Sequence, residues 1–261
     1  MPAENSSAGR LAVTFAVTAA EREACYRLRY RVFVEEMGAR IPEGHGGLER
    51  DRFDPHCHHL MVRDRRSGAV VACTRILTDT QACLTGGFYS AQEFELGAIT
   101  RLPGRVMEIG RTCVAPEARR GASIAMLWSG LARFMEIHRF GFLIGCASIP
   151  VDDDGGAAAG KIAARLSRRH LAPEGRRVTP RHPVPRVAGD DEGEEPRLPP
   201  LLKAYMRLGA KIGGDPCLDE AFGCADLFIL LESRELQGRY QRHFVERRRP
   251  EAAAAGESIA A

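Results

Sequence analysis

The tightest constraint on the fold lies between Arg105 and Arg139, where the spacing of apolar residues changes period. Val106 to Val114 is a short apolar run with β-branched residues, the pattern of a buried strand. Ala115-Pro116 ends it. The turn Glu117-Ala118-Arg119-Arg120-Gly121-Ala122-Ser123 follows. From Ile124 the apolar positions Ile124, Leu127, Trp128, Leu131, Phe134 and Met135 recur at helical spacing. A strand, a basic glycine-containing turn and a helix bring free backbone N–H groups and a positive helix end together. Such a turn is a ready anion site. Glu108 and Arg111 stand on the strand just before it. An ordinary strand-turn-helix with a solvated basic turn has the same local pattern.

On the N-terminal side, Leu11 to Val17 alternates as a strand, and Thr18 is placed to cap a helix running to about Met37, with Gly38 closing it. Cys25, Leu28, Val32 and Phe33 form its apolar stripe; its charges include Arg27, Arg29, Arg31, Glu35 and Glu36. The Gly- and charge-rich segment from Arg40 to His58 reads as a loop and contains Glu49-Arg50-Asp51-Arg52-Phe53-Asp54. Leu60 to Val62 and Ala69 to Leu77 form a hairpin around Ser67-Gly68. Arg75 falls in the second strand, where a charge must reach solvent or be paired. Ser90 is expected to cap a short helix, Ala91 to Leu96.

On the C-terminal side, Phe142 to Ile149 is another buried strand, Pro200 to Leu208 a helix closed by Gly209, and Ala210 to Ile212 and Ala225 to Leu231 two further strands. Pro216 to Phe222 reads as the connection between these two, and Ser233 caps a last helix to about Phe244. The expected architecture is one domain, an α/β (α+β) fold with a mixed central sheet and helices on both faces. Composition changes at 151–198, expected as a flexible insertion carrying one amphipathic helix near Lys161 to His170, and 247–261 as a disordered tail. Arg165, Arg168, Arg169, Arg176 and Arg177 make the insertion a candidate docking surface for an acidic partner, or a solvated face.

Composition excludes several classes. A net charge of +3 is too mild to argue for nucleic acid. The N-terminus lacks a basic region followed by an apolar one, and no apolar run is long enough to span a bilayer. Eight cysteines without a CxxC pair read as reduced residues of a cytoplasmic protein. His56-Cys57-His58-His59 is too contiguous for one tetrahedral site, so no metal is expected.

Four pieces together resemble a known family: Arg29-Tyr30-Arg31-Val32-Phe33, Glu49-Arg50-Asp51-Arg52-Phe53-Asp54, Thr74-Arg75-Ile76-Leu77 and Glu108-Ile109-Gly110-Arg111. They resemble the branch of the GNAT acyltransferases that holds acyl-homoserine-lactone synthases and ornithine N-acyltransferases. Gly87-Phe88-Tyr89-Ser90 with Glu93-Phe94, Pro200-Leu201-Leu202-Lys203-Ala204-Tyr205, Leu208-Gly209-Ala210, and Asp219 with Phe222 are similar to the ornithine enzymes of ornithine-lipid synthesis. The resemblance runs from about Tyr26 to Phe244. Lactone synthases usually carry a tryptophan after the first helix, where this chain has Ala39. The usual GNAT turn begins with Gln or Arg; here Ala118 stands there, with Gly121 and Ser123 at the later positions.

The resemblance implies transfer of a 3-hydroxyacyl chain from acyl carrier protein to the α-amino group of L-ornithine. No cofactor is implied beyond the acyl-phosphopantetheine of the carrier protein. It places Glu108, Arg111 and Arg75 at the chemistry, with Glu108 as base or as orienter. Arg29, Phe33, Asp51 and Asp54 are expected at the amino acid, the two aspartates on its cationic side chain. Arg119, Arg120, Gly121 and Ser123 are expected at the donor's phosphate. A buried ion network of Arg29, Asp51, Arg75 and Glu108 that merely orders the loop would use the same residues. The partners implied are acyl carrier protein and an amino acid, with contact at the inner-membrane surface and no nucleic acid. The alternatives are a lactone synthase, a coenzyme A-dependent N-acetyltransferase, and a non-catalytic module that binds carrier protein or a lipid surface.

Overall fold

Thr18 caps the first helix as expected: its side chain accepts from the backbone N–H of Glu21, whose carboxylate accepts from the Thr18 N–H in return. The computed structural model describes residues 10–40, 46–119, 122–151, 155–184 and 196–240. Strand β1 (Leu11–Phe15) leads into helix α1 (Ala19–Arg29). A wider π-helical stretch, Tyr30–Glu36, continues α1 without a break, and Gly38 follows with φ 75°. The hairpin is β2 (His58–Asp64) and β3 (Val70–Thr78), followed by the short helix α2 (Asp79–Leu84).

The helix expected over Ala91 to Leu96 does not form. Tyr89–Gln92 is a 3₁₀ turn and Phe94–Glu95 is a two-residue strand, β4. The backbone N–H groups of Tyr89 and Ser90, at the start of that turn, are taken by the Glu108 carboxylate, and Phe94–Glu95 pairs with Thr179–Pro180 instead of continuing a helix. Strand β5 (Arg105–Val114), helix α3 (Ser123–Ile137) and strand β6 (Phe140–Pro150) realise the change of apolar period between Arg105 and Arg139.

Helix α4 (Ala157–His170) lies in the segment expected as an insertion, yet it places Ala159, Ile162, Ala163 and Leu166 in the main core. Strand β7 (Thr179–Pro180) pairs with β4. The acidic runs at 152–154 and 190–195 and the tail at 247–261 lie outside the described residues. Helix α5 (Pro200–Arg207), strand β8 (Lys211–Ile212), strand β9 (Cys217–Asp219), strand β10 (Cys224–Glu232) and helix α6 (Ser233–Tyr240) complete the chain. β9 occupies the expected connection.

The main sheet runs β1-β2-β3-β5-β6-β10-β8, with β9 also on β10. All its pairs are antiparallel except β5 with β6. The fold is thus a mixed sheet with helices packed on it, as expected. Two large apolar clusters cover it, and a third, small one joins Phe53, Leu77 and Ala82. The first joins helices α1, α3, α4 and α5 to the sheet; the second packs Phe94, Leu96 and Ile99 on Phe142, Ile144 and Phe228. Among the described residues no helix is long and apolar enough to cross a membrane.

Candidate active site

The one parallel pair in the sheet is also where it splits. β5 and β6 pair from Arg105↔Phe140 to Ile109↔Gly145, and the ladder stops there although the strands continue to Val114 and Pro150. Two local features account for the fork. Gly145 lets the strands meet at its apex, because a Cβ there would lie 2.4 Å from the Ile109 carbonyl oxygen. Beyond it, the β3–β5 register shifts between Cys73 and Arg75, and Arg111 takes φ 51°. A bulge of this kind bends its strand, here away from β6. The opening is a cleft of about 900 Å³. Gly110 to Val114 form one wall and Cys146, Ser148 and Pro150 the other; Phe33, Met37, Trp128 and Leu201 add apolar surface.

Arg111 has a non-glycine φ in the left-handed region, which must be held by its surroundings. It is held by an ion network. Arg111 donates Nε to Glu49 at 3.0 Å and Nη2 to Asp51 at 3.3 Å, and its guanidinium lies over Tyr89 and Phe222. Arg29 donates to Glu49 and, through both Nη atoms, to Asp54 at 2.7 and 3.0 Å. Arg75 Nη1 reaches Asp51 at 2.6 Å and Asp54 at 3.3 Å. Three guanidiniums thus interlock with three carboxylates. Burial alone would raise the pKa of each acid, but the arginines outweigh it and all three sit below the usual range.

This geometry bears on two expected roles. Asp54 is 2% exposed, saturated by Arg29, Arg75 and the Asp51 N–H, and does not line the cleft. Asp51 likewise faces arginines and lies outside this cleft's lining; both aspartates line a smaller cleft with Tyr26, Arg50, Arg52 and Pro55. Arg29, 1% exposed, is a strut of the same network. Glu49, not singled out as a site residue by the sequence, is its third acid. The expected structural network also misassigns Glu108, which belongs to another arrangement.

Glu108 lines the cleft one residue before the fork and is 3% exposed. It accepts the Tyr89 N–H at 2.5 Å and the Ser90 N–H at 2.8 Å. Burial raises its pKa; the bonds from Ser90 and Tyr89 and the charge of Arg75 oppose that without cancelling it. A buried, oriented carboxylate with a raised pKa is suited to accept a proton. Arg75, Arg111 and Phe33 also line the cleft.

The turn between β5 and α3 is only partly described: Arg120 and Gly121 fall outside the described residues. Arg119 is tied to Glu36 through both Nη atoms at 2.6 Å and donates Nε to the Val114 carbonyl. Ser123 is buried at the start of α3, whose Ile124 and Ala125 reach the cleft. On α4, Arg168 and Arg169 are exposed, whereas Arg165 is half-buried and donates to the Pro196 carbonyl.

The cleft wall on β9 and β10 carries residues that the sequence reading did not assign. Asp219 and Asp226 line it, with Cys146 and Cys224 beside them. The ligand atoms of Glu93, Cys146 and Asp226 lie within 4.8 Å of one another, as do those of Asp219, Cys224 and Asp226, so each trio could reach one cation. The signal was available: an aspartate inside the apolar run Cys224–Glu232 poses the same question as Arg75 in β3.

Residues 28–129 match the acetyltransferase (GNAT) domain family. An L-ornithine N(alpha)-acyltransferase of Rhodobacter capsulatus is 34% identical over 247 residues, covering 90% of this chain and 95% of that protein. One of Rhizobium meliloti is 36% identical over 258 residues, covering 90% and 86%. Among solved structures, an N-acyl amino acid synthase from uncultured soil microbes superposes with a TM-score of 0.51 at 14% identity, covering 88% of this chain and 94% of that one. A coenzyme A-dependent acyl-homoserine lactone synthase gives 0.52 at 16% identity, covering 89% and 88%. At that distance the structural likeness speaks for the fold alone.

Proposed function

The chain belongs to the L-ornithine N(alpha)-acyltransferases of the GNAT superfamily, and we propose that it moves a 3-hydroxyacyl chain from acyl carrier protein to the α-amino group of L-ornithine, giving lyso-ornithine lipid. The observation that carries this reading is the fork at Ile109 and Gly145, which opens an apolar-lined cleft beside the buried Glu108 carboxylate. A linear phosphopantetheine arm and its acyl chain fit between strands that no longer pair. Backbone groups of β5 beyond the fork line the same space.

The acceptor arrives as an ammonium and must lose a proton before it attacks. Glu108 takes that proton, directly or through one water. The amine nitrogen then bonds to the thioester carbon, and backbone N–H groups near Thr112 to Val114 stabilise the resulting oxyanion. Collapse breaks the C–S bond, and the thiol leaves with a proton. Arg75, whose two ion pairs both run through Nη1, is positioned to hold the acceptor's carboxylate. Arg119 is already tied to Glu36, and a turn with fewer free side-chain donors suits the single phosphate of a carrier-bound donor better than a pyrophosphate. Arg168 and Arg169 offer exposed charge to an acidic carrier protein. The acylated product favours release at a membrane surface, where the protein would act peripherally.

The test is a matrix of donors and acceptors read by mass spectrometry. Purified protein is given 3-hydroxyacyl carrier protein, long-chain acyl-coenzyme A or acetyl-coenzyme A, each with a panel of amino acids and S-adenosylmethionine. Dominant N-acylornithine from the carrier-bound donor is expected. Dominant acetylation, or lactone formation, would replace this reading with one of the alternatives.

A further inference from the structure

We propose that Glu93, Asp219 and Asp226 form the pocket for the side-chain ammonium of the acceptor amino acid. The inference rests on the reading that this acceptor is ornithine, and assigns its second nitrogen to residues to which the family resemblance gave no role.

The two acidic clusters of the protein differ in one respect. Glu49, Asp51 and Asp54 are matched by three arginines. Glu93 and Asp226 have no ion pair among the described residues, although they are 7% and 4% exposed. Both carboxylate oxygens of Glu93 are buried without a hydrogen-bond partner among the described residues. Asp226 accepts from the Cys224 thiol at 3.8 Å and has the Ser148 hydroxyl and Glu93 as polar neighbours, none of them a cation. Asp219 is fixed in orientation by the N–H groups of Ala221 and Phe222, which both reach its Oδ1. Buried carboxylates without a cation are costly, and an ammonium held by Asp219 and Asp226, which line the cleft, with Glu93 beside Cys146 and Asp226, offsets that cost. Burial, reinforced by their mutual charge, raises the pKa of Glu93; burial likewise raises that of Asp226. An ammonium placed between these carboxylates favours their charged forms and so opposes the effect of burial.

The placement suits an acceptor whose α-nitrogen lies at Glu108. Glu108 stands level with Ile144 on β6, and Asp226 faces Ser148 on the same strand. Glu93 reaches the intervening Cys146, which lies about 7 Å beyond Ile144 at the usual rise of a strand. Ornithine's two nitrogens stand at opposite ends of a short carbon chain that can bridge such a span. The same 3₁₀ turn serves both ends: Tyr89 and Ser90 orient Glu108, and Glu93 follows directly.

The experiment compares kcat/KM for ornithine and norvaline, which lacks the terminal amine, in the wild type, Glu93→Gln, Asp226→Asn and Asp219→Asn. Asp219→Asn keeps an oxygen for its turn and so covers the case in which a buried variant fails to fold. Each variant should reduce the ornithine-to-norvaline ratio by about 30-fold or more, chiefly through the KM for ornithine. Glu93→Gln and Asp226→Asn should melt no lower than the wild type, because each removes an unpaired buried acid. A ratio held within about threefold in all folded variants overturns the pocket while leaving ornithine acylation intact. A wild type that acylates other amines but not ornithine sinks the underlying reading and the pocket with it. Loss of the preference on treatment with a chelator, restored by zinc, overturns the ammonium pocket in favour of a metal site.

Discussion

Replacing Gly145 by alanine tests whether the fork is closed by contact. The new Cβ would lie 2.4 Å from the Ile109 carbonyl oxygen, where ordinary contact begins near 3.4 Å, so the strands must part by about 1 Å at their apex. The obstacle is backbone rather than a flexible side chain, so it cannot rotate away. Overpacking of this kind costs about 1–3 kcal/mol. The functional effect should be larger than the loss of stability, because Glu108 is the next residue along β5. A displacement of about 1 Å in a positioned catalytic group can cost on the order of a hundredfold in rate. Urea unfolding with linear extrapolation gives the first quantity, and kcat/KM for the acyl donor gives the second. A Gly145→Ala variant that loses less than about 0.5 kcal/mol and keeps its donor kinetics would refute the account of the fork.

Arg29→Met should cost about 3–5 kcal/mol in unfolding free energy, since it leaves Glu49 and Asp54 with one cation fewer in a buried network; a loss below about 1 kcal/mol would mean that the network is solvated. Acid should destabilise the protein through the same carboxylates. Their folded pKa values lie below the unfolded ones, so their contribution is complete above about pH 4 and is lost as pH falls through the folded values; a urea midpoint that stays flat to about pH 3 would contradict this. Reversing Arg168 and Arg169 to glutamate should raise the KM for carrier-bound donor at low salt and leave kcat in place; unchanged kinetics at low salt would remove α4 from the docking surface.

The strands and helices of the sheet were legible because their apolar periods are local. The β5-turn-α3 unit and the Thr18 cap follow from neighbouring residues alone. The misreadings arise where a distant partner decides. Ser90 looks like a cap, but the residues after it are drawn into a strand pair with Thr179–Pro180, far along the chain. Tyr30–Glu36 has residues an α-helix would accept, so nothing local marks its wider turns. The charged segment around Asp51 and Asp54 was visible as a cluster, but its role depends on Arg111 reaching back across the bulge to Glu49 and Asp51. Glu93 and Asp226 come from segments far apart in the chain, and only the folded sheet brings them together.

The central claim is that acyl transfer occurs at the fork with Glu108 as proton acceptor, and single-turnover acylation of ornithine as a function of pH tests it most directly. Glutamine at 108 can accept only one of the two N–H bonds now taken from Tyr89 and Ser90, so its folding is checked by melting. The wild-type rate should rise with pH through a carboxylate pKa above the usual range. The folded Glu108→Gln variant should be about a hundredfold slower or worse, without that ionisation, and should recover towards alkaline pH, where ornithine sheds its own proton. A folded Glu108→Gln protein that keeps the wild-type rate and pH profile would contradict the claim.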